Sequence, residues 1–272
     1  MARFLITALA FALLSGPLAS DPAALTVPGE QRPPLTRIDP DALRGFRQDR
    51  ITHITFHHEG FAGTDAALFA RASKARMRQS ASQRVLNINA YHAGDAGLGM
   101  IAYHYVVGPD GSIVKGRPVH LKPATSSTAP GSSQLADFDG HFAVMALGDF
   151  GHEHLTDAAR LSMVRVMSQA QRLYRVPTVH IQPHKAHATT ACPGKHILAE
   201  AEALARMVQS YSLQSELAAR GCGQITPDGI FGKASQAALD RLRGSAGGGL
   251  TRTTTVEAAL MHMLNDPGVT CR

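Results

Sequence analysis

Residues 184–194, HKAHATTACPG, constrain this chain more than any other stretch. They set an imidazole, His184, and a thiol, Cys192, eight residues apart, with small residues between and Pro193-Gly194 turning the chain straight after the thiol. Such a loop can aim both groups at one point, and His with Cys suits a borderline-soft ion such as zinc. Two ligands do not make a site, so the fold must bring a third to the same place. The best supplier is His57 in ITFHHEG, at the end of a β-branched and aromatic run. Two His and one Cys around zinc leave a fourth position for water, the arrangement of catalytic rather than structural zinc. Taken singly, each piece has a plain reading. A His–Cys pair in a loop is more often incidental than a ligand set, and a His-His pair commonly just ends a strand. Their joint occurrence is the signal, and cysteine usage sharpens it.

Arg3, the apolar run at 4–14 and the small residues SGPLAS form the pattern of a secretory signal peptide, too short for a stable bilayer anchor. Residues 1–20 are therefore expected to be a signal peptide. No cysteine near its end could take a lipid, so a periplasmic or secreted soluble protein without a membrane anchor is expected. Export bears on the three cysteines, which leave one thiol over if two are bridged. Cys222 and Cys271 share the C-terminal segment and could staple it, making Cys192 the odd one. Three free buried thiols is the alternative, which export disfavours. The formal charge of +6 favours an acidic partner. Nucleic acid does not fit, because no dense Lys/Arg cluster with interleaved aromatics is present and the chain is exported. An acidic cell-wall polymer fits both facts.

Periodicity predicts the order of elements. Residues 21–44 are a proline-rich arm without a core of its own. Strands are expected at 51–57, 101–107, 112–116, 141–147 and 178–181, with a tight turn at 108–111. Helices are expected at 66–92, from an N-cap at Thr156 to Tyr174, and at 196–210. In the second of these, Leu161, Val164, Met167 and Leu173 mark the apolar face. Residues 123–140 are a small, polar loop, either disordered or functional. The fold class is α/β, a mixed central β-sheet flanked by helices. From residue 213 the texture changes to a helix, a turn on Asp228-Gly229 and Gly232, a second helix, a glycine-rich tract and a last helix at 256–264. The expected division is an arm at 21–44, a catalytic domain at 45–208 and a small all-helical domain at 209–272.

ITFHHEG, IAYHYVVGPDGSIVKGR, FAVMALGDF and HKAHATTACPG occur in the order seen in type 2 N-acetylmuramoyl-L-alanine amidases, the family that includes catalytic peptidoglycan recognition proteins, and residues 45–205 resemble it. DGIFGKASQAAL, within residues 213–242, resembles the type 1 peptidoglycan-binding domain. The resemblance implies zinc ligands His57, His184 and Cys192, with His58 as the second choice for the strand ligand. It implies an active-site tyrosine at Tyr103 and a catalytic role for Thr190, both placed to donate to a developing oxyanion. It implies hydrolysis of the amide between N-acetylmuramic acid and L-alanine, with peptidoglycan as partner and the C-terminal domain holding the wall. A monomer is expected. The chain also departs from the pattern. His58-Glu59-Gly60 replaces a small hydroxyl residue after the ligand, so Glu59 is either a support for the site or a change of specificity. Met145 stands where some relatives carry a Glu and cannot act as a base. The loop at 118–140 replaces a short segment, with His120 as a partial stand-in.

The other histidines invite restraint. His53 shares a strand face with His57 and is expected to pack beside it, while His104 points opposite Tyr103. His187 is expected to be solvated, and His92, His141, His152, His154, His180, His196 and His262 carry no assignment. Two other readings compete. A recognition module without turnover would keep the fold, but such relatives lose a ligand and all three are retained here. A blue-copper site would want a methionine close behind the cysteine, and the next after Cys192 is Met207.

Overall fold

A computed structural model describes residues 21–61, 65–125, 127–245 and 249–271. The expected signal peptide lies outside them. Strand β1 (His53–His58) buries its four inner residues, which is what a central strand covered on both faces requires. It pairs in parallel with β4 (His141–Ala146) on one side and β5 (Ile181–Pro183) on the other. Strand β2 (Tyr105–Val107) lies parallel to β4 and, through the turn closed by Gly111 N–H on the Gly108 carbonyl, antiparallel to β3 (Ile113–Lys115). The five strands run in the order β3-β2-β4-β1-β5, a mixed sheet flanked by helices as the class predicts.

One side of the sheet is covered by α4 (Asp157–Tyr174), capped by the Thr156 hydroxyl on Ala159 N–H at 3.1 Å, and by the first half of α6 (Ala201–Ala219). The buried stripe of α4 is Met163, Val164, Val166, Met167 and Ala170, whereas Leu161 and Leu173 are over 40% exposed, at 42% and 41%. Val164 and Met167 lie on the expected apolar face, and Leu161 and Leu173 sit at its exposed edge. A smaller cluster on Met145, Val106, Ile101 and Val85 lies under α3 (Ala81–Ala93).

Several expected elements are broken, each for a local reason. The helix at 66–92 is two, α2 (Ala66–Arg76) and α3, because the Ser80 hydroxyl caps a new start by accepting from Gln83 N–H. The strand at 101–107 keeps only its last three residues. Tyr103 and His104 still accept from Arg117 and Gly116 N–H beyond the strand's end, while the completely buried guanidinium of Arg117 binds the carbonyls of Ile101, Leu98 and Lys122. Residues Thr178–His180 form a 3-10 turn, and the strand begins at Ile181. The arm is not idle: it ends in a short helix α1 (Pro40–Leu43) that leads into a 3-10 turn (Arg44–Phe46), and its Leu25 and Val27 are buried in the main core.

A one-turn helix, α5 (Lys195–Ala199), precedes α6, which runs unbroken past residue 208. Leu204 and Val208 of α6 belong to the main core, and Leu213 and Leu217 to a second cluster. That cluster gathers α7 (Lys233–Gly244), α8 (Val256–Asn265) and the Cys222–Cys271 disulfide. Gln214 organises the turn between, accepting from Asp228 and Gly229 N–H at 3.0 Å each and donating to Asp228 Oδ1 at 2.8 Å. Glu257 of α8 accepts from the backbone N–H and hydroxyl of Thr178, fastening this region to the start of β5. No helix among the described residues is long and apolar enough to cross a membrane.

Candidate metal centre

The carboxyl-terminal ends of parallel strands form a rim where loops can converge. Strand β1 ends at His57 and His58, and β5 runs directly into a 3-10 turn at His184–Ala186. The loop to Cys192 then folds back beneath it. Ala188 N–H bonds the His184 carbonyl at 3.1 Å, Lys185 N–H bonds that of Cys192 at 3.1 Å, and the Thr190 hydroxyl accepts from Cys192 N–H at 3.1 Å. Gly194 completes the turn at φ +87°. A Cβ there would lie 2.4 Å from the Phe150 carbonyl carbon, so no other residue fits.

These features bring His57, His184 and Cys192 together. One ligand atom from each lies within 4.8 Å of the other two, and all three residues are buried. The imidazole rings of His57 and His184 are 4.5 Å apart, and Cys192 Sγ is 3.8 Å from His57 Nδ1. Each imidazole keeps one nitrogen unsatisfied, since His57 Nε2 and His184 Nδ1 are buried without a hydrogen-bond partner. Buried polar atoms are ordinarily paired, and unpaired ones mark strain or an absent ligand. Two imidazoles and one sulfur are a zinc donor set, so residues and ion fit. His58 does not join them: its Nδ1 accepts from Phe150 N–H at 3.2 Å, and its backbone N–H points at Cys192 Sγ at 3.4 Å.

Electrostatics suit the same purpose. Burial, reinforced by His184 and His141, holds His57 well below the usual imidazole range, and burial with His187 and His58 takes His184 down to about 4. Both rings are therefore neutral at pH 7, as ligands must be. Burial pushes the Cys192 thiol up to about 12, against the opposing pull of the His58 N–H. It keeps its proton until a cation displaces it.

The three groups face a cleft of about 540 Å³. Tyr103 and Thr190 both line it, the Tyr103 ring 5.0 Å from that of His57. Burial, Cys192 and Glu59 all raise the Tyr103 pKa, so its hydroxyl stays a donor. Thr190 accepts from the backbone and so keeps its own O–H to donate. Sequence reasoning missed four other residues at the cleft: His92, Thr125, Asp149 and His152. Thr125, from the long loop, places its hydroxyl 3.4 Å from His184 Nε2. His92 accepts the Ala102 N–H at 3.1 Å, and Asp149 holds His152 Nδ1 at 3.2 Å. Only a loop's fold could reveal Thr125, whereas Asp149 lies three residues past the end of β4, at the rim where strand ends converge. His120 is not among the residues lining the cleft.

One neighbour left open is placed, and one expectation is corrected. Glu59 is committed to arginines: its carboxylate pairs with Arg84 and with Arg76 Nε at 3.5 Å. His187 is not solvated but packs edge-on against His141 at 4.7 Å, with its Nε2 buried. His53 stacks between His141 and His180 at 4.6 Å from each. His104 is fully buried, its Nδ1 accepting Ala143 N–H and its Nε2 on the Leu121 carbonyl, a structural role.

Comparison with known proteins adds the following. An endolysin N-acetylmuramoyl-L-alanine amidase, LysCS from Clostridium intestinale, is similar at 20% identity over 65% of this chain and 95% of that one, with a TM-score of 0.43. Drosophila peptidoglycan recognition protein SD is similar at 18% identity over 60% and 88%, with a TM-score of 0.43. Drosophila PGRP-LB is similar at 18% identity over 57% and 81%, with a TM-score of 0.42. No curated protein matches the chain. Residues 47–195, more than half the chain and the whole span from β1 to the turn after Cys192, match the N-acetylmuramoyl-L-alanine amidase family, Amidase_2, and the chain belongs to that family.

Proposed function

We propose that this protein is an exported, zinc-dependent amidohydrolase that cuts the amide between N-acetylmuramic acid and L-alanine in peptidoglycan. The observation that carries the reading is the convergence of His57, His184 and Cys192 at a cleft, within 4.8 Å of one another. His57, His184 and Cys192 would hold a zinc ion, whose Lewis acidity would polarise a carbonyl and lower the pKa of a water to about 7. The chain's own residues do the rest. Tyr103 and Thr190 present hydroxyl donors on the cleft wall where the amide oxygen gains charge, a kind of contact worth roughly 3–4 kcal/mol. Thr125 steadies the His184 ring. The helical region from residue 213 holds the wall polymer and raises the local substrate concentration without entering the chemistry. Its disulfide and the leader pattern support export to the periplasm or beyond.

Digestion of purified peptidoglycan with the mature protein tests this, read by mass spectrometry with and without a chelator. Stem peptides that begin at L-alanine, lost on chelation and restored by zinc, are the expected products. His184→Ala and Cys192→Ser should abolish release and leave wall binding in place. Intact wall carrying bound protein would replace this reading with non-catalytic recognition.

A further inference from the structure

Residues 127–136 form a hairpin. Ala129 N–H bonds the Gln134 carbonyl at 2.9 Å, Ala136 N–H bonds that of Ser127 at 3.0 Å, and Thr128 pairs with Leu135 in an antiparallel bridge. Its outer turn, Pro130 to Leu135, is exposed, so burial of its own tip does not explain it. Its contacts fall instead on the loop that carries His184 and Cys192. The Thr128 carbonyl accepts from Thr189 N–H at 2.8 Å, three residues before Cys192. Just before the hairpin, Thr125 Oγ1 lies 3.4 Å from His184 Nε2, and just after it the buried Phe138 ring stands edge-on to His184 at 5.2 Å. The hairpin and both its flanks thus meet the metal loop, and Ala124, Thr125 and Ser127 line the cleft.

The two nitrogens of His184 have different surroundings. Nδ1 is buried without a partner, and Nε2 faces Thr125. A neutral imidazole carries one N–H and one lone pair. A proton on Nδ1 would be buried and unbonded, the costlier placement. A proton on Nε2 has the Thr125 oxygen to go to and leaves the Nδ1 lone pair for an ion. Ser127 N–H donates to the same oxygen at 3.1 Å, which sets it as an acceptor with a lone pair to spare. A cation on Nδ1 would make the Nε2–H a charge-assisted donor and tighten the contact. We infer that Thr125 is a positioning residue for the metal: held by the hairpin, it accepts the Nε2–H of His184, fixes the ring with Nδ1 free to ligate, and sets how tightly the ion is retained. The inference rests on the reading of His57, His184 and Cys192 as a zinc site and deepens it. It gives the stretch at 118–140, where this chain departs from the family pattern, a task at the metal centre.

Two measurements on the mature protein test it. Zinc affinity is read at pH 7 by competition with a chromophoric chelator. The His184 tautomer in the metal-free protein is read from imidazole nitrogen shifts by NMR, assigned by their loss in His184→Gln. Thr125→Val removes the hydroxyl at nearly constant volume and should weaken zinc binding by roughly 10–100-fold, the usual effect of losing such a partner. Thr125→Ser keeps the oxygen and should restore most of the affinity. Wild type and Thr125→Ser should both carry the His184 proton on Nε2, and Thr125→Val should show a mixture of tautomers. A role confined to packing would lower the melting temperature of metal-free Thr125→Val and leave the tautomer where it is. Zinc binding in Thr125→Val equal to that of wild type, or a wild-type His184 with its proton on Nδ1, would overturn the inference while leaving the zinc site intact. If wild type binds no zinc, the zinc reading falls, and the tautomer alone decides whether Thr125 positions His184.

Discussion

Zinc uptake by this site should release about one proton at pH 6, and that count is a sharp test of burial at the ligands. Metal ligation needs a thiolate and two neutral imidazoles, so every proton on them must leave. Cys192, pushed up to about 12, carries a full proton at pH 6 and gives up one. His184, taken down to about 4, is protonated only to about 1% there, and His57 is well below the usual range too. Imidazoles with solution-like pKa values near 6.5 would each be about three-quarters protonated and would add ~1.5 protons. The alternatives are thus about 1.0 against about 2.5, with a zinc-bound water of pKa about 7 adding only ~0.1 to either. The sign follows: affinity rises with pH, about tenfold per unit for one proton released, against roughly 300-fold for two and a half. Calorimetric titration of the apo-protein at pH 6, in two buffers of different ionisation enthalpy, counts the protons. A value near 2.5 would show that the two imidazoles are solvated in the apo-protein and refute the reasoning; no heat at all would refute the metal site.

Three further outcomes follow from packing. Gly194→Ala forces a side chain into the backbone of Phe150 at positive φ, and should cost about 2–4 kcal/mol in urea denaturation together with a loss of zinc affinity; a change under about 0.5 kcal/mol would mean that the loop yields freely. Reducing the Cys222–Cys271 bridge, or replacing both cysteines by serine, reopens a 49-residue span and should cost the C-terminal region about 4 kcal/mol, seen as a lower melting transition, while Cys192 keeps the site. Burial takes His104 and His141 down to about 3, so the unfolded chain binds more protons than the folded one between pH 6.5 and 3. Their contribution is complete above pH 6.5 and is lost as pH falls, by up to about 1.4 kcal/mol per unit for each. A melting temperature flat from pH 6.5 to 4.5 would contradict this.

The continuity of α6 changes how the two parts of the chain should be pictured. A flexible linker would let a wall-holding region wander, but here the same helix carries residues of both clusters, and Glu257 clamps Thr178 across the join. With one helix shared, a C-terminal region that holds the wall as proposed would present it to the cleft from a fixed direction.

The class of fold and the three residues of the candidate metal group were legible in the chain because their signals are local. A β-branched run buried on both sides reads as a central strand, and His, seven residues and Cys-Pro-Gly is a loop whose own turn aims its ends. The Thr156 cap and the glycine turn at 108–111 were legible for the same reason: each is a contact within a few residues. Tertiary structure alone decided the rest, since those choices depend on partners far away in sequence. The Arg117 guanidinium gathers the carbonyls of Leu98, Ile101 and Lys122, the strand face selects His57 over His58, and Glu59 is drawn to Arg76 and Arg84 on two helices. Periodicity reports which face of an element is apolar. It does not report what a polar side chain will meet, because that is set by which distant segment packing brings within hydrogen-bonding reach.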